Sequence, residues 1–284
     1  MSGHASRLNA ITQITNRAPK ECKTPQPLTD IWATDVFGLA KMEEALSKNA
    51  FKAIKNTVTT GAPLDPATAD VVASAMKVWA ISKGAKFFSH IFYPMTNITA
   101  EKHDGFIITN PEGAAITEFT GSLLIKGEPD GSSFPNGSLR MTNAARGYTA
   151  WDPTSPAYIM HTANGATLMI PSVFISWTGE ALDKKIPLLR SNAAMDTAAR
   201  KVLSLMGEEK IAPLNASCGA EQEYFLVDEH FANLRPDLLL AGRSLFGAPP
   251  AKGQQFDDHY FGAIPARVQV FMQAFEDKLY RLGI

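Results

Sequence analysis

The feature that most constrains this chain is a change of period at Gly84. Before it, Asp65 is placed as an N-cap, Pro66 fits the first helical position, and Val72, Ala75, Met76 and Trp79 form one apolar stripe. Gly84 stands where a left-handed residue closes a helix. After it, Phe87 to Tyr93 is aromatic and β-branched, and Pro94 ends the run. Phe106 to Thr109 and Ala115 to Phe119 flank Asn110-Pro111-Glu112-Gly113, which predicts a hairpin. Ser122 to Ile125, Ala157 to Met160 and Leu168 to Trp177 read as further strands. Helical spacing returns at Leu188, with Met195, Ala198, Ala199, Val202 and Met206 on one face and Gly207 as its stop. Blocks of helix, strand and helix describe an α+β chain.

The remaining segments are less regular. The first 30 residues are polar, contain Pro19, Pro25 and Pro27, and read as an extended arm. Met42 to Ile54 reads as one helix. Gly127 to Gly137 is a long polar loop, Glu221 to Val227 a strand, and Gly242 to Gly262 a Gly/Pro-rich connection. A last helix runs from Pro265 to Leu282, with Val268, Phe271, Met272, Phe275 and Leu279 on one face. The apolar Ile284 reads as the opening of another element, giving the expectation of a chain cut inside a domain.

Composition limits the chemistry. Hydrophobic residues make up 45% of the 284, enough to fill a core, and the net charge is −1. No strong field therefore points to nucleic acid or an anionic membrane as the main partner. No run approaches the length of a bilayer span, and the N-terminus lacks a secretory pattern, so a cytoplasmic location is expected. Cys22 and Cys218 are too few for a disulfide framework.

The sharpest chemical signal is Glu221-Gln222-Glu223-Tyr224-Phe225-Leu226-Val227-Asp228. On a strand, Glu221 and Glu223 project from one side with Phe225 and Val227. Two carboxylates so placed call for a positive partner, either a hard cation such as Mg²⁺ or Mn²⁺ or a neighbouring Lys or Arg; a solvated strand face is the other reading. The second signal is Gly127-Glu128-Pro129-Asp130-Gly131-Ser132-Ser133-Phe134. There Asp130 can attract a cation or take a proton, or can simply stabilise a turn. His103 reads as a hydrogen-bonded loop histidine, and His259 as a local hydrogen-bonding group. The chain has no P-loop, dinucleotide fingerprint or nucleophile elbow.

Taken together, the chain from about Val36 onward resembles glutamine synthetase of the long bacterial type III form. The segments Thr99-Ala100-Glu101-Lys102-His103-Asp104, Gly127 to Pro135, Ala145 to Pro156, Thr178 to Lys185, Glu221 to Asp228 and Asp258-His259-Tyr260-Phe261-Gly262 carry the resemblance, in family order. It implies an N-terminal helical arm with a helix over 1–65, a β-grasp-like domain over 66–178, and over 179–284 the first part of a catalytic antiparallel sheet with helices.

It also implies ATP-dependent ligation of ammonia to glutamate through γ-glutamyl phosphate, in a homo-oligomeric ring whose sites form between neighbouring subunits. By the same resemblance, Glu221 would face the metal on the nucleotide side and Glu223 the metal near glutamate. Asp130 would bind ammonium and help deprotonate it, and Ser133 would support its loop. Ala220 stands where the family usually has proline. The family's second pair of metal glutamates, its Asn-Glu-x-Ala-Pro segment and its substrate arginines lie downstream in family order, and none follows Ile284. The chain alone is therefore expected to be inactive; the alternative is a non-catalytic module that associates with full-length synthetase subunits.

Overall fold

The computed structural model describes residues 3–17, 21–95, 99–129, 147–163, 165–219, 221, 226–245 and 263–284. They fall into two compact units, one of Met1–Pro27 with Cys218–Leu279 and one of Leu28–Ser217 with Tyr280–Ile284.

The larger unit opens with α2 (Leu28–Ile31), β1 (Val36–Phe37), α3 (Leu39–Ala45), α4 (Lys48–Thr60) and α5 (Pro66–Ser82). The helix expected over Met42–Ile54 is in fact two. Leu46 leaves the helical region and the Ser47 hydroxyl accepts from Ala50 N, so a new N-cap interrupts the run. In α5 the Asp65 carboxylate accepts from Thr68 N at 2.9 Å, and Gly84 beyond its end has φ 84°, both as the spacing predicts. Val72, Ala73, Met76 and Ala80 of α5 are fully buried. Burying each of the larger ones is worth about 1.5–3 kcal/mol.

Strand β2 (Ala85–Phe92) follows, then β3 (Ala100–Gly105), the hairpin β4 (Ile107–Thr109) and β5 (Ala115–Thr117), and α6 (Gly121–Ile125). The hairpin turns at Asn110, whose Oδ1 accepts from Ala114 N. The strand expected at Ser122–Ile125 is helical instead. Thr120 caps it by accepting from Leu123 N, and α6 lies so close to α5 that a Cβ on Gly121 would fall 2.6 Å from Asp70 N. The strand β3, which places His103 opposite Ser89, was not expected from its charged sequence.

The sheet is completed by β6 (Lys126–Gly127), β7 (Gly147–Trp151), β8 (Ala157–Thr162) and β9 (Gly165–Ser176). Among the described residues it has seven strands in the order β1-β8-β9-β2-β3, with β7 also on β9 and β6 on β7. Strand β9 is the spine. Its first half lies between β8, antiparallel, and β2, parallel, while its second half pairs with β7. Registers Phe88↔Leu168, His90↔Ile170 and Ile159↔Leu168 put these side chains on one face, where the core with α3–α6 forms. The α+β expectation agrees with this architecture. The unit continues into α7 (Lys185–Leu205), and Ala33 N and Asp35 N bond the carbonyls of Tyr280 and Arg281. The stripe expected to bury α7 does not do so: only Ile186 is buried, and Val202 is 56% and Met206 75% exposed.

The smaller unit contains α1 (Gly3–Thr15), α8 (Glu229–Ala232), α9 (Pro236–Ala241) and most of α10 (Ala266–Arg281). The extended arm is thus partly helix: Thr12 and Thr15 satisfy carbonyls one turn back, and the prolines all lie beyond α1. Among the described residues 179–284 contribute no named strand. Glu221, Leu226 and Val227, the described parts of the strand expected over 221–227, are not in a strand; Gln222 to Phe225 lie outside the described residues.

Candidate functional site

Of the four residues singled out for chemistry, Asp130, Ser133 and Glu223 lie outside the described residues. So does His259. Glu221 is exposed and makes no ion pair among the described residues. What is visible is the frame from which these segments depart.

The segment bearing Asp130 leaves from β6 and returns on β7, with Lys126 opposite Ala150 and Gly127 opposite Thr149. Thr149 Oγ1 donates to Gly127 O at 3.2 Å. A Cβ on Gly127 would lie 2.7 Å from Thr149 Oγ1 and 3.3 Å from His90 Cδ2, so glycine sets how closely the two strands approach. The Lys126 ammonium sits 3.8 Å from the centre of the Tyr148 ring, a cation–π contact across the same pair.

His90 supports this base from β2. It is 1% exposed, its Nε2 lies 2.8 Å from Leu123 O and its Nδ1 2.9 Å from Ser172 Oγ. A carbonyl only accepts, so Nε2 carries the proton, while the single Ser172 hydroxyl hydrogen lies within reach of both Nδ1 and Ile170 O, the latter at 3.0 Å. Burial drives the imidazole down to about 4, despite the Leu123 carbonyl, which favours the protonated ring, and with the Lys102 charge adding to the fall. The sign follows. The native state holds neutral His90 while the unfolded chain protonates near 6.5, so this stability is full above that pH and fades as the pH falls toward 4. The span corresponds to about 3 kcal/mol. NMR titration should find the His90 ring neutral at pH 5; a midpoint near 6.5 would overturn the assignment.

Two segments that carry the resemblance meet at the other end of β7. Asp152, 4% exposed, lies 2.5 Å from Lys185 Nζ and accepts from Thr154 N at 3.0 Å and Ser155 Oγ at 3.0 Å. Burial raises its carboxyl, but the Lys185 and Thr154 bonds outweigh that and hold it below the usual carboxylate range. Asp183, fully buried, accepts from Phe174 N at 2.8 Å and Ile186 N at 2.9 Å, so it satisfies a first-turn amide of α7 and ties the helix to β9. Burial raises the Asp183 carboxyl against those two bonds. Leu182 and Lys184 lace the same segment to Phe174 O and Tyr93 O. Only spacing of 33 residues separates Asp152 from Lys185 in sequence, and no local pattern could have paired them.

In the smaller unit, Asp228 closes the Glu221–Asp228 segment. It caps α8 through His230 N at 3.1 Å and takes Arg267 Nη2 of α10 at 2.5 Å. The Arg267 guanidinium, with the His230 amide, holds its carboxyl down at about 2. His103 is a strand residue, its ring 5.2 Å from that of Phe87. Among the described residues no three His, Cys, Asp or Glu side chains converge on a metal position. A divalent ion therefore has no complete ligand set within them.

Residues 28–191 match the family described as "Glutamine synthetase type III N terminal". A protein named "Glutamine synthetase" from Bacteroides fragilis is 49% identical over 279 residues, covering 98% of this chain and 38% of that protein. "Type-3 glutamine synthetase" from Dictyostelium discoideum is 49% identical over 284 residues, covering 98% of this chain and 39% of that protein. A "Glutamine synthetase" from Butyrivibrio fibrisolvens is 35% identical over 264 residues, 90% of this chain and 36% of that protein. The chain thus spans less than two-fifths of the length of these relatives. No helix among the described residues is long and apolar enough to cross a membrane. With the match covering most of the α+β unit built on β9, the chain belongs to the glutamine synthetase type III N-terminal family.

Proposed function

We propose that these residues form the N-terminal part of an ATP-dependent glutamate–ammonia ligase acting in the cytoplasm as a homo-oligomeric ring. The observation that carries this is 49% identity to a protein named as a synthetase, across 98% of the chain. Residues 1–65 are assigned to a helical arm, 66–178 to a β-grasp-like domain and 179–284 to the start of the catalytic domain. The parallel β2–β9 pair, with α5 leading into β2, supports the β-grasp assignment.

In the proposed reaction a γ-carboxylate oxygen of glutamate takes the terminal phosphoryl group of ATP, giving γ-glutamyl phosphate and ADP. Ammonia then attacks the acyl carbon and phosphate leaves with the C–O bond electrons. Ammonium cannot attack until it loses a proton, so the Asp130 carboxylate both concentrates the cation and accepts that proton. Ser133 supports the loop. Mg²⁺ or Mn²⁺ held by Glu221 and Glu223 would supply the positive charge that phosphoryl transfer needs.

The test is a chimera joining these 284 residues to the remaining part of the Bacteroides fragilis relative. It should form γ-glutamyl hydroxamate while the 284 residues alone do not; equal rates would overturn the reading, and an inactive chimera would favour a non-catalytic module. Within it, Asp130→Asn should raise the ammonium KM by about tenfold or more, about 1.4 kcal/mol, at unchanged ATP KM. A shift confined to the ATP KM would contradict the role given to Asp130.

A further inference from the structure

A cleft of about 480 Å³ opens in the larger unit where β1, α3 and α5 meet, and none of its described lining residues is one assigned above. Phe37, fully buried, forms its floor, and the partly buried Trp79 stands over it with ring centres 5.2 Å apart and planes tilted by 42°. Thr34, Glu44, Lys41 and Lys83 complete the wall. The volume falls in the range of small-molecule sites, about 300–1,000 Å³, which are mostly apolar with a few polar groups that fix orientation.

The two lysines supply those groups. Lys41 Nζ bonds Glu44 at 2.8 Å in a pair whose side chains are 43% and 65% exposed, so the ammonium can change partner at little cost. Lys83 Nζ lies 3.2 Å from Asp35, a carboxylate with a side chain only 7% exposed that also meets His161 Nε2 at 3.3 Å. That contact fixes the direction of Lys83 yet uses one of its three N–H donors, and Lys41 likewise spends one. Two ammonium groups with unspent donors thus border an aromatic wall.

We propose that this cleft binds a planar aromatic acid, its ring against Trp79 and its anionic group shared by Lys41 and Lys83. The two features act on different parts of one ligand, so neither the ring nor the anion alone should suffice. The site stands independently of the synthetase reading, because none of its residues is assigned to that chemistry.

Isothermal titration of the 284-residue chain with indole-3-acetate, indole and acetate tests it. Indole-3-acetate should bind saturably at one site, with indole and acetate at least about tenfold weaker. Lys41→Met, which removes the charge from an exposed position, should weaken indole-3-acetate about tenfold while leaving the unfolding midpoint in place. Trp79→Leu should abolish binding. No saturable heat at millimolar probe, equal affinity for indole and indole-3-acetate, or unchanged binding in Lys41→Met would each overturn the proposal.

Discussion

Lys185→Met is expected to cost the larger unit about 3 kcal/mol of stability, the low end of the range for breaking a buried ion pair from one side. The reason is what the substitution leaves behind. Asp152 is 4% exposed, and without Lys185 its charge sits in the interior with only Thr154 and Ser155 as donors. Those bonds keep the cost from reaching the upper end. The Lys185 ammonium also bonds Ser155 Oγ at 2.8 Å, so a second polar group loses a partner. Adding Asp152→Asn to Lys185→Met removes the stranded charge and should recover about half of the loss, whereas additive losses would mean the two side chains act separately. Urea unfolding at pH 7 reads both. Because the pair holds the Asp152 carboxyl below its ordinary range, the wild-type advantage should shrink as pH falls through the carboxylate range. A Lys185→Met midpoint indistinguishable from wild type would show that water already reaches this pair.

The pair also shows where sequence reasoning stops. The α5 cap at Asp65, the stop at Gly84 and the Asn110–Gly113 turn were legible because each is set by residues within a few positions. Ser122–Ile125 was misread because a short apolar run fits strand and helix equally, and the deciding groups were the Thr120 cap and the tight seat of Gly121 on α5. Strand β3 was missed because it lies at the end of the sheet order, where charges such as Glu101, Lys102 and Asp104 are tolerated and erase the apolar signal. His90 carried no local sign of burial; its partners Leu123 and Ser172 come from α6 and β9. The candidate site was legible through resemblance. Spacing alone left Glu221 and Glu223 open between a metal, an ion pair and a solvated face, and because Gln222 to Phe225 lie outside the described residues that choice stays open.

Glu223→Ala in the chimera is expected to lower kcat by roughly 10²–10³-fold, about 3–4 kcal/mol, with folding intact. Glu223 stands two residues from Glu221, and in the proposed assignment both carboxylates face the metal ions, where they repel each other unless a cation lies between them. Removing one relieves that repulsion in the metal-free protein, so the unfolding midpoint without metal should hold or rise even as the rate collapses. A merely structural carboxylate would move the two measurements together. Glu223→Gln keeps the shape and removes the charge, and should lose nearly as much rate as alanine. Mn²⁺ affinity, followed by electron paramagnetic resonance, should weaken by at least about tenfold in both variants, because a hard cation held by few carboxylates depends on each one. Activity within about threefold of the parent chimera, or an unchanged Mn²⁺ affinity, would remove Glu223 from the metal site and return the Glu-x-Glu segment to a solvated face.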